Sequence, residues 1–575
     1  MNDILGRVVS VSGSQMRAAV TTDQFAEDSI RVGKMIKARS AGCEVVGTIS
    51  TAEFESHGSG ERIVLVADLL GEIVPSAEGT VRFHRGVSHH PIPGAAVCSA
   101  TTADLATVYT RPSVSNVSIG TLYHDATRPA FVLVDELLAK NFAVLGAAGA
   151  GKSCAITLML SAILTDYPNA HIIVLDPHNE YARAFEGRAE LFTVDNLQLP
   201  LWLFDFEEAV GALVRGGTVE EQETQAIILK DAITRARRRH WSDAATPITV
   251  DTPVPFGAAD LLRFIDEAMG RFDNPDTSAP YLRLRTRLES LRSDRRYTFL
   301  FSDSVAIRDT LPSILGRLLR IPVNGKPMTI IDLSGIPSEI TDVVVSLVCR
   351  LIFDVALWSD RQRLPPVLLV CEEPHRYVPA DVPIGFGATA RAITRIAREG
   401  RKYGVSLALI SQLPSELSGE VLSQCGTVFA MRLGHELDQR LMGTAMPDAA
   451  RGMLAALPSM RTQETIIFGE GVPLPMRVRF DDLPPEHRPR SDSAKFSLAG
   501  RPWRSGNLER GDPLLAEPKP QIRGEIIDRS PVGRSGVNAN FAYGASALGS
   551  TSDPSPSALW CNAAETLVSL SAGEH

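Results

Sequence analysis

Gly146-Ala-Ala-Gly-Ala-Gly-Lys-Ser153 has the spacing G-x-x-x-x-G-K-[ST], and its residue types are those that hold a polyphosphate. Gly146, Gly149 and Gly151 let the backbone curl, so that N–H groups of the loop, Ala147, Ala148 and Ala150 included, point at phosphate oxygens. Lys152 is expected to reach the β- and γ-phosphates of ATP, and Ser153 to hold Mg²⁺. Cys154 lies in the first turn of the apolar segment that follows, a helix whose N-terminus adds partial positive charge. A phosphate loop needs acidic partners. Pro366-Val-Leu-Leu-Val-Cys-Glu-Glu373 supplies two at the end of an apolar run. Glu372 would support Mg²⁺, directly or through water, and Glu373 would polarise the attacking water as general base. Adjacent carboxylates raise one another's pKa unless a cation joins them, so a solvated acidic loop is the competing reading. Gln412, closing Ser406-Leu-Ala-Leu-Ile-Ser-Gln412, stands where a γ-phosphate sensor would, or is an ordinary strand-end glutamine. Arg391, Arg395 and Arg398 share a helix face, and Arg401 and Lys402 extend the cluster. A solvated face, a DNA-contacting face and an arginine finger aimed at a neighbour's nucleotide all fit that pattern.

The elements needed to position these groups are legible around them. Asn141–Leu145 before the loop is a short apolar run, as a buried parallel strand requires. Further strands are expected at His171–Leu175, Met328–Leu333, Pro366–Val370, Ser406–Ile410 and Thr427–Met431, alternating with helical segments. That alternation predicts an α/β fold with a parallel-rich sheet. Residues 1–100 carry short apolar stretches separated by Gly, Ser and Asp, and predict a small N-terminal β-barrel. Residues 101–203 are read as the first part of the nucleotide domain, with a loop at Ser118–Leu122 and a strand at Ala130–Asp135. Residues 204–325 are read as an inserted helical subdomain with one long helix at Glu220–Arg239, and 326–482 as the second part of the core. Residues 511–575, rich in Pro, Gly, Ser and Ala, are expected to be a flexible tail, with a short helix at 559–570.

Composition sets the outer bounds. The chain has 575 residues, 44% hydrophobic and 22% charged, enough to bury a sizeable core in more than one domain. No run is long and apolar enough to span a bilayer, and the N-terminus lacks a signal-peptide pattern, so no membrane partner and a cytoplasmic location are expected. The seven cysteines form no C-x-x-C pair, so neither a disulfide framework nor a zinc site is expected. Val87-Ser-His-His-Pro91 is read as a loop, because two adjacent histidines lack further ligands at suitable spacing. A net charge of −9 argues against a protein that coats nucleic acid with its whole surface, though not against a basic channel inside an oligomer.

Several stretches together resemble the HerA family of hexameric ATPases, within the HerA/FtsK group of RecA-like motors, and bacterial members in particular. Gly146–Ser153 resembles its Walker A loop, and Asp176-Pro-His-Asn-Glu-Tyr181 resembles D-P-H-G-E-Y with Asn179 in place of glycine. Asp332-Leu-Ser-Gly335, Val370-Cys-Glu-Glu-Pro-His-Arg-Tyr377, Arg398-Glu-Gly-Arg-Lys-Tyr-Gly404 and Ser411-Gln-Leu-Pro-Ser415 follow in the family's order. Pro374 and Leu413 stand where Ala and Arg are commoner, and Leu199–Leu203 and Asp294–Phe299 resemble bacterial members. The resemblance covers about residues 1–500. It implies a RecA-like core, a barrel that helps close a homo-hexameric ring, and nucleotide between subunits. It also implies arginines acting in trans, Arg398 first and Arg401 second, with Lys140 as another basic contributor. The segment around Phe480–Phe496, within a C-terminal stretch 483–510, would brace an adjacent subunit. Implied partners are double-stranded DNA and an end-resecting nuclease or, in antiviral defence, a nuclease or NAD-consuming effector. The competing function is an ATP-regulated scaffold that activates such an effector with little translocation.

Overall fold

The computed structural model describes residues 4–21, 30–57, 60–75, 81–241, 248–270, 275–301, 311–359, 364–381, 387–446, 448–490, 563 and 565–566. The tail expected at 511–575 and the brace beyond residue 490 lie outside the described residues, save for Ala563, Glu565 and Thr566, which are helical.

Seven strands build the N-terminal part: β1 (Ile4–Ser12), β2 (Gln15–Thr21), β3 (Met35–Ser40), β4 (Cys43–His57), β5 (Gly60–Pro75), β6 (Val81–Arg85) and β7 (Ala96–Ser99). Their order is β2-β1-β7-β3-β4-β5-β6, and β2 also pairs with β5, so six strands close into a barrel and β6 hangs from the far end of β5. Alternation along each strand sends Val8, Met16, Ala18, Ile36, Val45 and Leu65 into one apolar interior.

Eleven strands form the second sheet: β8 (Asn116–Leu122), β9 (Asp125–Leu133), β10 (Asn141–Leu145), β11 (His171–Asp176), β12 (Ala189–Phe192), β13 (Met328–Asp332), β14 (Val367–Glu372), β15 (Val405–Ser411), β16 (Cys425–Ala430), β17 (Glu464–Gly469) and β18 (Met476–Phe480). They run in the order β12-β13-β11-β14-β15-β10-β16-β17-β18-β8-β9. From β12 to β16 every pair is parallel, and from β16 to β9 every pair is antiparallel. Six of the seven parallel strands are the expected ones, β12 being the addition, and β10, β11, β13, β14 and β15 are buried at every position. Burial on both faces is why they read as unbroken apolar runs. Alternate residues of β10 feed opposite layers, Ala143 and Leu145 one core, Phe142 and Val144 the other.

The stretch Ser118–Leu122, expected as a loop, is strand: it lies within β8 and pairs with β9. Its glycine and serine interrupt what is a mostly buried strand. The long helix of the insertion runs Val219–His240, and Thr218 caps it by accepting from Glu221 N–H. The insertion does not form a core of its own. Leu229, Ile233 and Leu288 belong to the same apolar cluster as Leu145 and the helix Ser338–Trp358. Arg350 of that helix donates to both oxygens of buried Glu208 at 3.1 and 2.8 Å and to Leu203 O at 2.6 Å, fastening insertion to sheet. On the barrel side, Asp68 accepts from Gly452 N–H at 3.2 Å, and Arg85 donates to Gly469 O at 3.0 Å.

Candidate active site

The carboxyl ends of the parallel strands come level. Register pairs Asp332 with Asp176, Leu175 with Cys371, Glu372 with Ile410, and Ser411 with Leu145. Ligands of α/β sheets sit along such an edge. Here it gathers the phosphate loop after β10, Gln412 after β15, the acid pair of β14 and the Asp176 turn after β11.

The loop is held in shape by its neighbours. Gly146 N–H donates to Ser411 O at 3.2 Å, Ala147 N–H to Arg432 O at 2.8 Å, and Ala150 N–H to Ala147 O at 3.1 Å. Those three amides, expected to face phosphate, brace the loop itself. The first four N–H groups of the helix Lys152–Asp166 have no intrahelical partner, and these are the donors left for an anion. Gly149 and Gly151 adopt left-handed backbone, at φ +71° and +103°. A side chain at Gly146 would meet Met431 Cβ at 2.8 Å. Lys152 is buried, its ammonium resting 3.3 Å from Ala147 O. Burial pulls its pKa down, and the charges of Glu373, Glu372 and Glu180 pull it back up.

Glu372 and Glu373 are both 3% exposed. Burial, helped by the charges of Glu180 and Glu373, pushes the Glu372 carboxyl up to about 8 against a hydrogen bond from the Tyr181 hydroxyl. Glu373 sits in left-handed backbone at φ 50°, which turns its carboxylate away from the β14 line. Gln412 Nε2 donates to Glu373 Oε1, so these two candidate side chains touch. His375 Nδ1 is 3.2 Å from Glu373 Oε2 without hydrogen-bond alignment. Three carboxylates thus surround one ammonium, and buried Glu180 Oε2 has no partner. A site with that excess of negative charge fits a divalent cation, and Ser153 with Glu372 is the pair that could hold Mg²⁺.

The Asp176 turn explains the motif around it. Asp176 is fully buried and accepts from His178, Glu180 and Tyr181 N–H at 3.2, 3.1 and 3.0 Å. It therefore shapes the turn that delivers Tyr181 to Glu372. Asn179 stands at φ 53°, the conformation glycine adopts freely and asparagine tolerates, so its substitution preserves the turn. Glu180 and Tyr181 were visible within the motif but had no chemical role assigned; only the fold brings them to β14.

The basic candidates lie elsewhere in this chain. Arg391 pairs with Glu207, Arg395 stacks 4.2 Å from the Phe353 ring centroid, and Arg398 pairs with Glu420. Arg398 is exposed on the helix Gly387–Glu399, and Arg401 is exposed just beyond it. Lys140 sits at the opposite end of β10 from the phosphate loop, ~16 Å away at strand rise, and pairs with Glu470 and Glu136. It is not part of this chain's own phosphate site. Residues 485–490, from the stretch expected to brace a neighbour, pack on their own chain: Arg490 N–H donates to Glu180 O at 2.9 Å, and His487 Nδ1 lies 3.3 Å from Ala184 O. Among the described residues, no helix is long and apolar enough to cross a membrane.

Residues 117–352 match the family model described as Helicase HerA, central domain. The chain is 25% identical over 460 residues to the DNA double-strand break repair helicase HerA of Pyrococcus furiosus, covering 74% of this chain and 78% of that protein. It is 25% identical over 452 residues to the protein of the same name from Sulfolobus acidocaldarius, covering 77% and 80%. Among solved structures, VirB4 of Thermoanaerobacter pseudethanolicus is similar at a TM-score of 0.45 and 16% identity, over 65% of this chain and 98% of that one. The family match spans the phosphate loop and the Asp176 turn, so residues 117–352 carry a HerA-type central domain, and the similarity to HerA helicases extends across most of the chain.

Proposed function

We propose that this protein is a ring-forming, Mg²⁺-dependent ATPase that translocates along or remodels double-stranded DNA in the cytoplasm. The observation that carries the reading is the meeting of Lys152, Glu372, Glu373 and Gln412 on one strand edge, while Arg391 and Arg398 pair elsewhere on their own chain, with Glu207 and Glu420. Lys152 holds the terminal phosphates. Ser153 and Glu372 would hold Mg²⁺, which would supply charge neutralisation at those phosphates. Glu373 accepts a proton from the attacking water, and Gln412, bonded to it, links that event to β15. The developing charge calls for an arginine, worth ~10³–10⁵ in rate where other P-loop enzymes use one. Exposed Arg398, with Arg401 beside it, supports supply by a neighbouring subunit, as does Lys140 at the far end of β10. The repair helicases among its relatives support duplex DNA as the substrate. A homo-hexamer is the assembly this reading adopts, and a partner nuclease or NAD-consuming effector, in repair or antiviral defence, is the companion it implies.

The test combines solution mass with subunit mixing. Lys152→Ala has a dead site and an intact arginine; Arg398→Ala has the reverse. Each alone should hydrolyse little ATP, and the mixture should recover part of the activity within a hexamer-sized particle. A monomer at all concentrations, or no recovery with either Arg398→Ala or Arg401→Ala, overturns the ring reading.

A further inference from the structure

The barrel carries a set of donor atoms that the ATPase site does not use. β5 runs past the closed ring, and its end pairs with β6, placing Glu72 directly opposite His84 on one side and Val45 on the other. Cys43 opens β4 two positions before Val45, so it shares that face. The chain after β6 folds back over this corner. Ser88 and His89 N–H both donate to Glu72 Oε1, at 2.5 and 2.6 Å, which brings His89 Nδ1 to 3.8 Å from Glu72 Oε2. The thiol of Cys43, the carboxylate of Glu72 and the imidazole of His89 thus offer three ligand atoms within 4.8 Å of one another. Cys43 and Glu72 are only 7% and 6% exposed. Among the described residues, Glu72 has no lysine or arginine in ion-pair contact. A buried carboxylate without a cation is costly, and its second oxygen lies 3.8 Å from the imidazole Nδ1.

We propose that Cys43, Glu72 and His89 bind a zinc-type divalent cation, leaving a fourth position for His84 or water. Mixed sulfur, nitrogen and oxygen donors select a borderline-soft ion, and Zn²⁺ takes them at about 2.0–2.3 Å. Tetrahedral ligand atoms at those bond lengths stand ~3.5 Å apart, so closure needs a contraction that the exposed His89 side chain can supply. Binding displaces the Cys43 proton to solvent, and thiolate, carboxylate and Zn²⁺ sum to zero charge in a mostly buried corner. The site is a clip. It ties β4 and β5 to the loop after β6, and the neighbouring Arg85 reaches Gly469 O and Val472 O of the ATPase part. Sequence hid the set because its members are distant in the chain and only the barrel register assembles them. This inference stands apart from the ATPase reading.

The experiment titrates chelator-stripped, nucleotide-free full-length protein with Co²⁺. One equivalent should bind with thiolate-to-cobalt charge-transfer absorption, and Zn²⁺ should displace it. Cys43→Ser should abolish the band while Cys154→Ser, beside the phosphate loop, keeps it. His89→Ala, an exposed change that leaves the fold intact, should weaken binding by more than about tenfold and remove the rise in melting temperature that Zn²⁺ gives the unaltered protein. No charge-transfer band, a band that survives Cys43→Ser, or equal affinity in His89→Ala would each overturn the site.

Discussion

Glu372 and Glu373 are neighbours in sequence with opposite surroundings. Glu372 continues β14 into the interior, where Tyr181 is its hydrogen-bond donor and burial holds its carboxyl near 8. A hydrogen bond to a carboxylate favours the charged form, so Tyr181→Phe raises the Glu372 pKa further. If turnover needs that group ionised, the acid limb of the pH–rate profile moves to higher pH. Near neutrality turnover falls about fivefold, the worth of ~1 kcal/mol, and recovers as pH rises. A loss that is the same at every pH would mean that Tyr181 only packs. Glu373 is turned by its left-handed backbone onto Gln412. Glu373→Gln keeps the shape and removes the base, so ATP should still bind, with hydrolysis slowed about 10²-fold or more. Normal hydrolysis by this variant would assign the base elsewhere. The acid pair and Lys152 were legible as candidates because the roles proposed for them need a fixed residue type at a fixed spacing. Tyr181 and Glu180 were not legible as participants, because nothing local says that the Asp176 turn faces β14.

At the scale of elements, legibility follows burial. The central parallel strands are mostly apolar because both faces are covered, so β11, β13, β14, β15 and the buried end of β16 announce themselves, whereas the half-buried edge strand β12 does not. β8 did not, because its glycine and serine interrupt the pattern and pairing with β9 and β18 supplies what propensity lacks. The insertion is a further case. Its helices carry charges on a solvated side, yet their apolar faces complete the core that covers the sheet. Glu208 and Arg350 pin this junction, with Asp205 and Asp354 nearby at 3.4 and 3.5 Å. Removing one partner leaves a desolvated charge. Glu208→Ala should therefore destabilise by ~3 kcal/mol, at the lower end for a buried pair because the other acids remain. Urea unfolding with unchanged slope would measure it, and a cost under about 1 kcal/mol would show the pair to be effectively solvated.

For the whole molecule, the barrel and the sheet are joined through Asp68 with Gly452 and Arg85 with Gly469, and the nucleotide edge lies on the parallel half of the sheet. Composition spoke to none of this. A net charge of −9 says only that the outer surface is not a nucleic-acid coat, and a basic lining inside a ring is a property of an assembly that one chain's charge count does not encode. The central claim is that hydrolysis at this edge is coupled to duplex DNA. The most direct measurement is steady-state ATP hydrolysis by the assembled protein with and without duplex DNA, with Lys152→Ala as the control. Turnover should rise several-fold with DNA and vanish in Lys152→Ala. Turnover that depends on Lys152 but ignores DNA at every concentration would contradict that claim and move the protein to an ATP-regulated scaffold.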